Sequence, residues 1–247
     1  EGAIFFLGSP NASMESNFAL RALANQLGQK KVRYVPHVIP GMDDGFLRKD
    51  DRTPNSTGCE ALGFEAIELE VLHREIMNGD IQFLYMLEDR HVQEGIADAL
   101  EKLTVIVHAT NHSTGLEHAD VVLPAAMEIE AESTYINLDG LAQVTKMAKQ
   151  IQQMTPDMWM RIPKSRLDKA AVAVDRWRNV DNIYDVLPSW RMIAMVGKEL
   201  NIDLPWKTHK DIFGKVKASV EQMRDLNVSY KVPKEAFKFT QFDFAIR

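Results

Sequence analysis

The histidines offer one spacing that could bind a metal. His108 and His112 lie four residues apart, which can chelate zinc when both side chains lie on one face of a helix. His108, however, directly follows an apolar run typical of a strand, so the two side chains need not share a face. Because the chain also lacks an HExxH motif, we predict no metal site.

Three glutamates, Glu128, Glu130 and Glu132, stand at alternating positions. On an extended segment they would share one side of the chain, and paired carboxylates can act as general acid and base. Like charges repel and are normally left in solvent, so a solvated acidic edge is the favoured interpretation. The chain has no GxSxG motif, Cys–His pair or kinase signature, and we predict no catalytic residue.

The turn Gly8–Ser13, GSPNAS, lies between a strand-like run and a helical pattern. Backbone N–H groups at such a point can hold a phosphate. The turn has neither the GxGxxG spacing nor the Lys and Thr of a P-loop. A plain strand-to-helix turn with a helix cap is therefore favoured.

Composition narrows the class of protein. The 247 residues carry a net charge of −6, from 29 basic and 35 acidic residues. This argues against a general nucleic-acid binder, since such proteins cluster Lys and Arg against phosphates. No apolar run approaches the ~18–20 residues that span a bilayer, so we expect no direct membrane insertion.

The single cysteine, Cys59, can form neither an internal disulfide nor an iron–sulfur cluster. A buried apolar role is expected for it, with a reactive thiol as the alternative.

The elements that must position these residues alternate between strand and helix. Strands are predicted at Ala3–Leu7, Val32–Val35, Ile81–Leu87, Leu103–Val107 and Asp120–Leu123. Helices are predicted at Leu20–Leu27, Leu69–Ile76 and Val92–Leu103, a short helix or turn at Ser113–His118, and a long loop at 36–63. Gly28 and Gly79 should end the first two helices. This alternation predicts an α/β fold, a Rossmann-like, mostly parallel sheet with helices on both faces.

The pattern changes after Gln143. Residues 151–184 are rich in Met, Trp, Arg and Lys and show no strand signal. The predicted elements beyond them are a helix at Trp190–Leu200 with Met192, Met195, Val196 and Leu200 on its apolar side, a second helix at 212–226, and an aromatic strand-like or docking segment at Phe237–Phe244. We therefore predict an α/β domain over 1–150 and a mainly helical C-terminal region over 151–247.

The segment Ala119–Gln143, ADVVLPAAMEIEAESTYINLDGLAQ, resembles the end of the main domain in the molybdopterin oxidoreductase superfamily. A pattern like ADVVLPAA…E…GT…N…GRVQ recurs there, and the matching residues are Ala119, Asp120, Val121–Ala126, Glu130, Thr134, Asn137, Gly140 and Gln143. The superfamily also contains a subunit of respiratory complex I, NADH:quinone oxidoreductase, whose N-terminal region holds iron–sulfur clusters. We call it the cluster-bearing subunit of complex I.

The sequence before Ala119 is similar to the branch of the superfamily that contains the cluster-bearing subunit of complex I. The helix sequence ESNFALRALANQLG and the loop Thr53–Gly58 look like counterparts in the cluster-bearing subunit of complex I. The resemblance covers residues 1–145 best.

The chain departs from the superfamily pattern at three places. Glu88-Asp89-Arg90 stands where catalytic members have a Gly-Asn-Pro turn close to the pterin nucleotide, and two acidic side chains there would repel a pyrophosphate. Ser133 replaces a glycine, and Leu141 replaces an arginine whose anion contact would contribute on the order of a few kcal/mol. The resemblance therefore implies a fold kept without its molybdenum cofactor, as in the cluster-bearing subunit of complex I.

The resemblance implies a structural and docking portion of a protein similar to that subunit, belonging to an NADH dehydrogenase but not catalytic by itself. The iron–sulfur clusters that relay electrons toward quinone would lie in a region before Glu1. Other peripheral-arm subunits of complex I are the expected partners, and they would hold the chain at the cytoplasmic side of the inner membrane.

Two alternatives remain open at this point. The first is a fragment of a catalytic molybdopterin enzyme, similar to formate dehydrogenase or nitrate reductase, that binds a bis-pterin nucleotide. The residues that would then hold the pterin are Glu88, Thr110, Asn111, Thr114 and Asn137. The second is a free-standing interaction protein on a Rossmann-like fold, since fold alone does not fix function.

Overall fold

The computed structural model describes residues 4–146 and 186–224. The predictions for residues 151–184 and for the segment Phe237–Phe244 lie outside the described residues. In the described ranges, no helix is both long and apolar enough to cross a membrane.

A six-stranded sheet in the order β3-β2-β1-β4-β5-β6 forms the centre of the fold, and all its pairings are parallel. Its strands are β1 (Ile4–Gly8), β2 (Arg33–Tyr34), β3 (Glu65–Ala66), β4 (Phe83–Met86), β5 (Thr104–Ala109) and β6 (Val121–Pro124). The chain builds outward from β1 to β3 and then continues on the other side of β1 with β4. This is the order of a doubly wound Rossmann sheet, and the predicted fold class is confirmed.

Seven α-helices accompany the sheet in the described ranges. They are α1 (Met14–Gln26), α2 (Ser56–Ala61), α3 (Leu69–Met77), α4 (Arg90–Gly95), α5 (Ala97–Leu100), α6 (Ser189–Glu199) and α7 (His209–Ser219). Short 3-10 helices cover Thr114–His118 and Glu221–Met223. Gly28 and Gly79 follow α1 and α3 with φ of 79° and 81°, the left-handed conformation expected of glycine just beyond a helix end.

The side chains of the sheet divide between two apolar cores. Neighbouring residues of a strand point to opposite faces, so Phe6 packs into one core and Leu7 into the other. The first core joins α1 to α6 and α7, with Ile193 and Ile212 fully buried. The second core is formed by α3 to α5 against the other face. The helices on both faces are thereby confirmed, while the domain division at residue 150 stays a prediction.

A two-stranded hairpin, β7 (Ser133–Ile136) and β8 (Ala142–Thr145), stands apart from the main sheet. Two backbone N–H groups of β7 have no partner in β8. They donate instead to side chains of other elements, and these hydrogen bonds hold the hairpin in place. The N–H of Thr134 donates to Glu15 Oε2 over 3.0 Å, and that of Ile136 donates to Asn55 Oδ1 over 2.9 Å.

Two local predictions between residues 36 and 103 are wrong. The predicted loop 36–63 contains the helix α2, whose sequence STGCEA has no apolar stripe that could reveal it. The predicted helix Val92–Leu103 is broken at Ile96, which has φ −121° and separates α4 from α5.

The apolar side predicted for α6 is also partly wrong. Met195 and Leu200 are 55% and 50% exposed, while Trp190 and Ile193 face the core. Trp190 and Ile193 lie three residues apart and so share a face of the helix, and α1 selects that face by packing against it.

Candidate functional site

A polar pocket lies near the carboxyl ends of β1 and β4, where the strand order reverses. In open α/β sheets this switch point is the usual place for a ligand. The pocket encloses about 300 Å³ of empty space, part of it open to solvent. Its lining includes Ser13, Ser16, Glu88, Glu128, Ser133, Tyr135 and Trp190. We call it the switch-point pocket.

The turn after β1 uses its own backbone donors internally. The N–H of Ser9 donates to Asn17 Oδ1 (3.1 Å), while the N–H groups of Asn11 and Ala12 donate to the hydroxyl and carbonyl oxygens of Ser9 (3.1 Å each). Asn17 also donates to the carbonyls of Ser9 and Ala12. A phosphate would have to displace these bonds, so the plain strand-to-helix turn is confirmed.

Ser13 is the N-cap of α1. Its hydroxyl accepts a hydrogen bond from the N–H of Ser16 over 3.2 Å, which satisfies one of the helix's unpaired donors. The cap predicted from GSPNAS is therefore confirmed.

Replacing the cap, Ser13→Ala, is expected to lower the free energy of unfolding by about 1 kcal/mol, because a helix donor loses its acceptor. Urea unfolding of the full chain measures this loss. Ser219→Ala is the matched control, since that exposed hydroxyl donates to the Lys215 carbonyl at the other end of a helix. Equal losses in the two variants would show that Ser13 has no special capping role.

Glu88 brings a buried carboxyl into the switch-point pocket. Its Oε2 is shielded from solvent and has no hydrogen-bond partner. Burial raises the pKa of Glu88 to about 8, and the charges of Glu128 and Asp89 add to that rise, whereas a hydrogen bond with Thr110 opposes it. At neutral pH the side chain is therefore mostly protonated.

Asp89, the next residue, is held by three partners. Its Oδ1 accepts from the N–H of Val92 over 3.2 Å and caps α4. Its Oδ2 lies 2.9 Å from His37 Nε2 and 3.4 Å from the Ser9 hydroxyl. Local sequence patterns carry no signal for His37, because 52 residues separate it from Asp89. Asp89 thus ties together the ends of three elements.

Trp190 places a second unpaired group in the same pocket. The residue is 4% exposed, and its Nε1 has no hydrogen-bond partner. A buried indole N–H without a protein partner is a place where a bound water or a ligand atom can accept a hydrogen bond.

Glu15, in the first turn of α1, forms a buried cluster beside the pocket. This fully buried carboxylate accepts from the Thr134 N–H (3.0 Å) and hydroxyl (2.6 Å) and lies 3.1 Å from His209 Nε2. His209 Nδ1 lies 3.3 Å from Glu132 Oε2, within ion-pair distance but not aligned as a hydrogen bond. We call Glu15, Thr134, His209 and Glu132 the Glu15 clamp.

The Glu15 clamp controls the protonation of its histidine. Burial by itself lowers the pKa of His209, but the hydrogen bond and charge of Glu15, together with the charge of Glu132, outweigh it and raise the pKa. In the imidazolium form each ring nitrogen carries a proton. Nε2 then donates to Glu15, while Glu132 is attracted to the ring by charge. The clamp therefore fastens α7 to α1 and β7 most firmly when His209 is charged.

The three alternating glutamates do not share one side, so that prediction is wrong. Residues 128–130 form a turn rather than an extended segment. Glu128 lines the switch-point pocket, Glu130 accepts from the Met127 N–H over 3.2 Å, and Glu132 faces His209.

The residues considered as metal ligands or as a reactive thiol lie in environments typical of residues with a structural role. His108 is fully buried in β5, with Nε2 2.9 Å from the Tyr85 hydroxyl, and burial lowers its pKa to about 3. His112 is exposed in the following loop. Within residues 4–146 and 186–224, no three His, Cys, Asp or Glu side chains are placed to hold a metal ion. Cys59 is buried in α2 as predicted, and burial raises its pKa, which makes the thiol unreactive.

The residues proposed for a pterin have different local surroundings in the structure. Glu88 lies in the switch-point pocket and bonds to Thr110, which accepts from Asn111 Nδ2 over 3.3 Å. Thr114 is exposed at the start of a 3-10 helix. Asn137 Oδ1 accepts from the N–H groups of residues 139 and 141 and shapes the β7–β8 turn. Their part in binding a pterin stays a prediction.

A comparison with known protein families finds a match to part of the chain. The family model described as Molybdopterin oxidoreductase matches residues 52–159. That stretch includes the motif Ala119–Gln143, so the resemblance is supported at the level of the superfamily. The match covers 108 of the 247 residues, so it shows that this part of the chain is similar to a molybdopterin oxidoreductase domain. No curated protein gives a significant match to the chain.

Several motif residues hold the fold in place. Asp120 Oδ2 accepts from the Val105 N–H over 2.7 Å and joins the start of β6 to β5. Thr134 belongs to the Glu15 clamp, and Gly140 takes φ 77° in the hairpin turn. Leu141, the residue in place of an arginine, is 58% exposed in that turn.

Proposed function

We propose that the chain is a cofactor-free structural and docking portion of a protein similar to the cluster-bearing subunit of complex I. It would support an NADH:quinone oxidoreductase whose iron–sulfur clusters lie in a region before Glu1. Its partners would be other peripheral-arm subunits, which keep it at the cytoplasmic side of the inner membrane. The observation that carries the proposal is the pair of carboxyl groups, Glu88 and Asp89, at the end of β4.

The carboxyl groups of the switch-point pocket make it a poor site for a pterin nucleotide. A pyrophosphate is anionic, and the described residues that line the pocket include two glutamates, Glu88 and Glu128, but no Lys or Arg. The charge of Glu128 already helps to raise the pKa of Glu88. A phosphate in the pocket would be repelled by Glu128 and would hold Glu88 in its protonated form. Glu15 places another buried carboxylate in the first turn of α1, the end of a helix that otherwise attracts anions.

The packing of the turn after β1 opposes a close ligand as well. A side chain at Gly8 would collide with the Phe64 ring and with Asn17. The glycine is therefore needed for contacts inside the chain, and no close approach by a nucleotide is required to explain it.

The alternative function is a portion of a catalytic molybdopterin enzyme. The family match to residues 52–159 favours it, because that family is described by its cofactor. A bound pterin would then require Glu88 to leave its buried position or to act as a hydrogen-bond donor while protonated.

Pterin and metal analysis of the full-length protein tests the proposal. We expect acid oxidation to release no fluorescent pterin, and elemental analysis to find iron without molybdenum or tungsten. A molybdopterin enzyme taken through the same procedure is the positive control. Stoichiometric pterin would overturn the proposal in favour of the alternative, and a protein with neither pterin nor iron would point to a free-standing interaction protein.

A further inference from the structure

A wide groove runs between α6 and the loop that follows it. It encloses about 1200 Å³ of empty space, counting its open mouth. Its apolar lining includes Met195, Leu204 and Trp206, and Met195 is 55% exposed. We call it the α6 groove. It shares no lining residue with the switch-point pocket, which contacts α6 through Ser189 and Trp190.

The α6 groove is preformed. After α6 the chain reverses at Asn201, which has φ 59°, and the Ile202 N–H donates to the Gly197 carbonyl over 2.8 Å. A side chain at Gly197 would press on Leu204, so the loop packs directly on the helix. The Trp206 ring lies 5.6 Å from that of Phe18. A groove with fixed walls costs a ligand little ordering free energy.

The charge of the α6 groove is positive. Lys198 and Lys207 line it together with Arg191, which has a partner within the chain, and Asp203 is the one acidic residue among its lining side chains. The whole chain, by contrast, has a net charge of −6. A basic rim around exposed apolar surface is complementary to a ligand that is acidic and partly apolar.

We propose that the α6 groove binds an acidic segment of a partner protein, which places an apolar side chain against Met195. Carboxylates of the segment would face Lys198 and Lys207 at the rim, and the apolar contact would supply the buried centre of the interface. This inference does not depend on the proposed function, because it requires neither an empty switch-point pocket nor complex I.

The charges of the remaining segments of this chain favour a different molecule as the occupant of the α6 groove. Residues 147–185 contain seven Lys and Arg against five Asp, and residues 225–247 contain four Lys and Arg against three Asp and Glu. Both segments are basic and so are repelled by a basic rim. A partner with an acidic stretch has no such penalty.

Binding of a synthetic peptide to the full chain tests the inference. The fluorescently labelled peptide carries glutamates on one helical face and leucines on the other, and fluorescence anisotropy is read at low and high salt. We expect saturable binding that weakens with salt. Lys198→Glu and Lys207→Glu should each weaken it roughly three- to tenfold, since an attraction becomes a repulsion. Met195→Ser should weaken binding at both salt concentrations.

The matched control is Lys215→Glu on α7, an exposed lysine outside the groove. It makes the same charge change and should leave binding within about twofold of the unchanged chain. Equal weakening by Lys215→Glu, or equal binding of a peptide with lysines in place of the glutamates, would contradict the inference. Absence of binding would contradict it too. So would self-association in sedimentation that Lys198→Glu abolishes, because the occupant would then be a second copy.

Discussion

His209→Ala is expected to lower the free energy of unfolding by about 3 kcal/mol at pH 6, which corresponds to a fall in Tm of roughly 6–12 °C. The substitution removes the cationic partner of Glu15, a carboxylate with no exposure to solvent. Thr134 still donates two hydrogen bonds to it, which keeps the loss near the lower end of the range for a broken buried ion pair. Thermal unfolding followed by circular dichroism measures the change.

The loss should depend on pH in a direction set by the histidine. Because the folded pKa of His209 is raised above its unfolded value of about 6.5, its charged form stabilises the fold fully below pH 6.5. That contribution disappears as the pH rises through the folded pKa. At pH 9 the unchanged chain and His209→Ala should therefore differ much less.

Two further variants separate the buried pair from a general effect of losing a histidine. His118 also pairs with a carboxylate, Glu101, but at the surface, so His118→Ala should cost no more than about 0.5–1 kcal/mol. Glu15→Gln combined with His209→Ala removes the stranded charge and should recover part of the stability. A His209→Ala variant as stable as His118→Ala would rule out the Glu15 clamp.

Glu88→Gln is expected to stabilise the protein on the alkaline side by on the order of 3 kcal/mol. Between pH 4.5 and about 8 the folded chain keeps a proton on Glu88 that the unfolded chain has lost. The stability of the unchanged chain therefore falls as the pH rises through this window. Glutamine is neutral at every pH and has nearly the same shape, so the variant avoids this loss.

Urea unfolding at pH 5 and pH 9 measures the effect of Glu88→Gln as the difference between variant and unchanged chain. That difference should be small at pH 5 and large at pH 9, and taking it cancels the separate contribution of His209. Glu117→Gln, at an exposed position, should give no difference at either pH. A gain from Glu88→Gln that is the same at both pH values would show that Glu88 is ionised in the folded state.

The central strands are predictable because their local sequence is apolar. Phe83–Met86 and Thr104–Ala109 lie within or beside uninterrupted hydrophobic runs, and such runs describe strands buried on both faces. The edge strand β3, with the sequence EA, escapes prediction because both residues are exposed and carry no apolar signal. It exists through its backbone pairing with β2.

The candidate site is only partly predictable because its contacts are distant in sequence. Glu88 and Asp89 stand out in the sequence, since they replace residues of a family pattern. His209 lies 194 residues from Glu15. No local periodicity in the sequence can indicate a contact between residues so far apart along the chain. The same reason hides the roles of Trp190 and His37. Their partners are chosen by the tertiary packing, which a single sequence does not display.

The attachment of the β7–β8 hairpin has a consequence for self-association. The N–H groups of Thr134 and Ile136 point away from β8, along the outer edge of β7. A further strand would pair at that edge. Glu15 and Asn55 occupy those two donors with side-chain oxygens. An incoming chain would meet a backbone edge whose alternate donors are already taken and whose nearest neighbour is a buried negative charge. The β7 edge of the hairpin is thereby protected against edge-to-edge aggregation, and the same carboxylate that fastens α7 contributes to that protection.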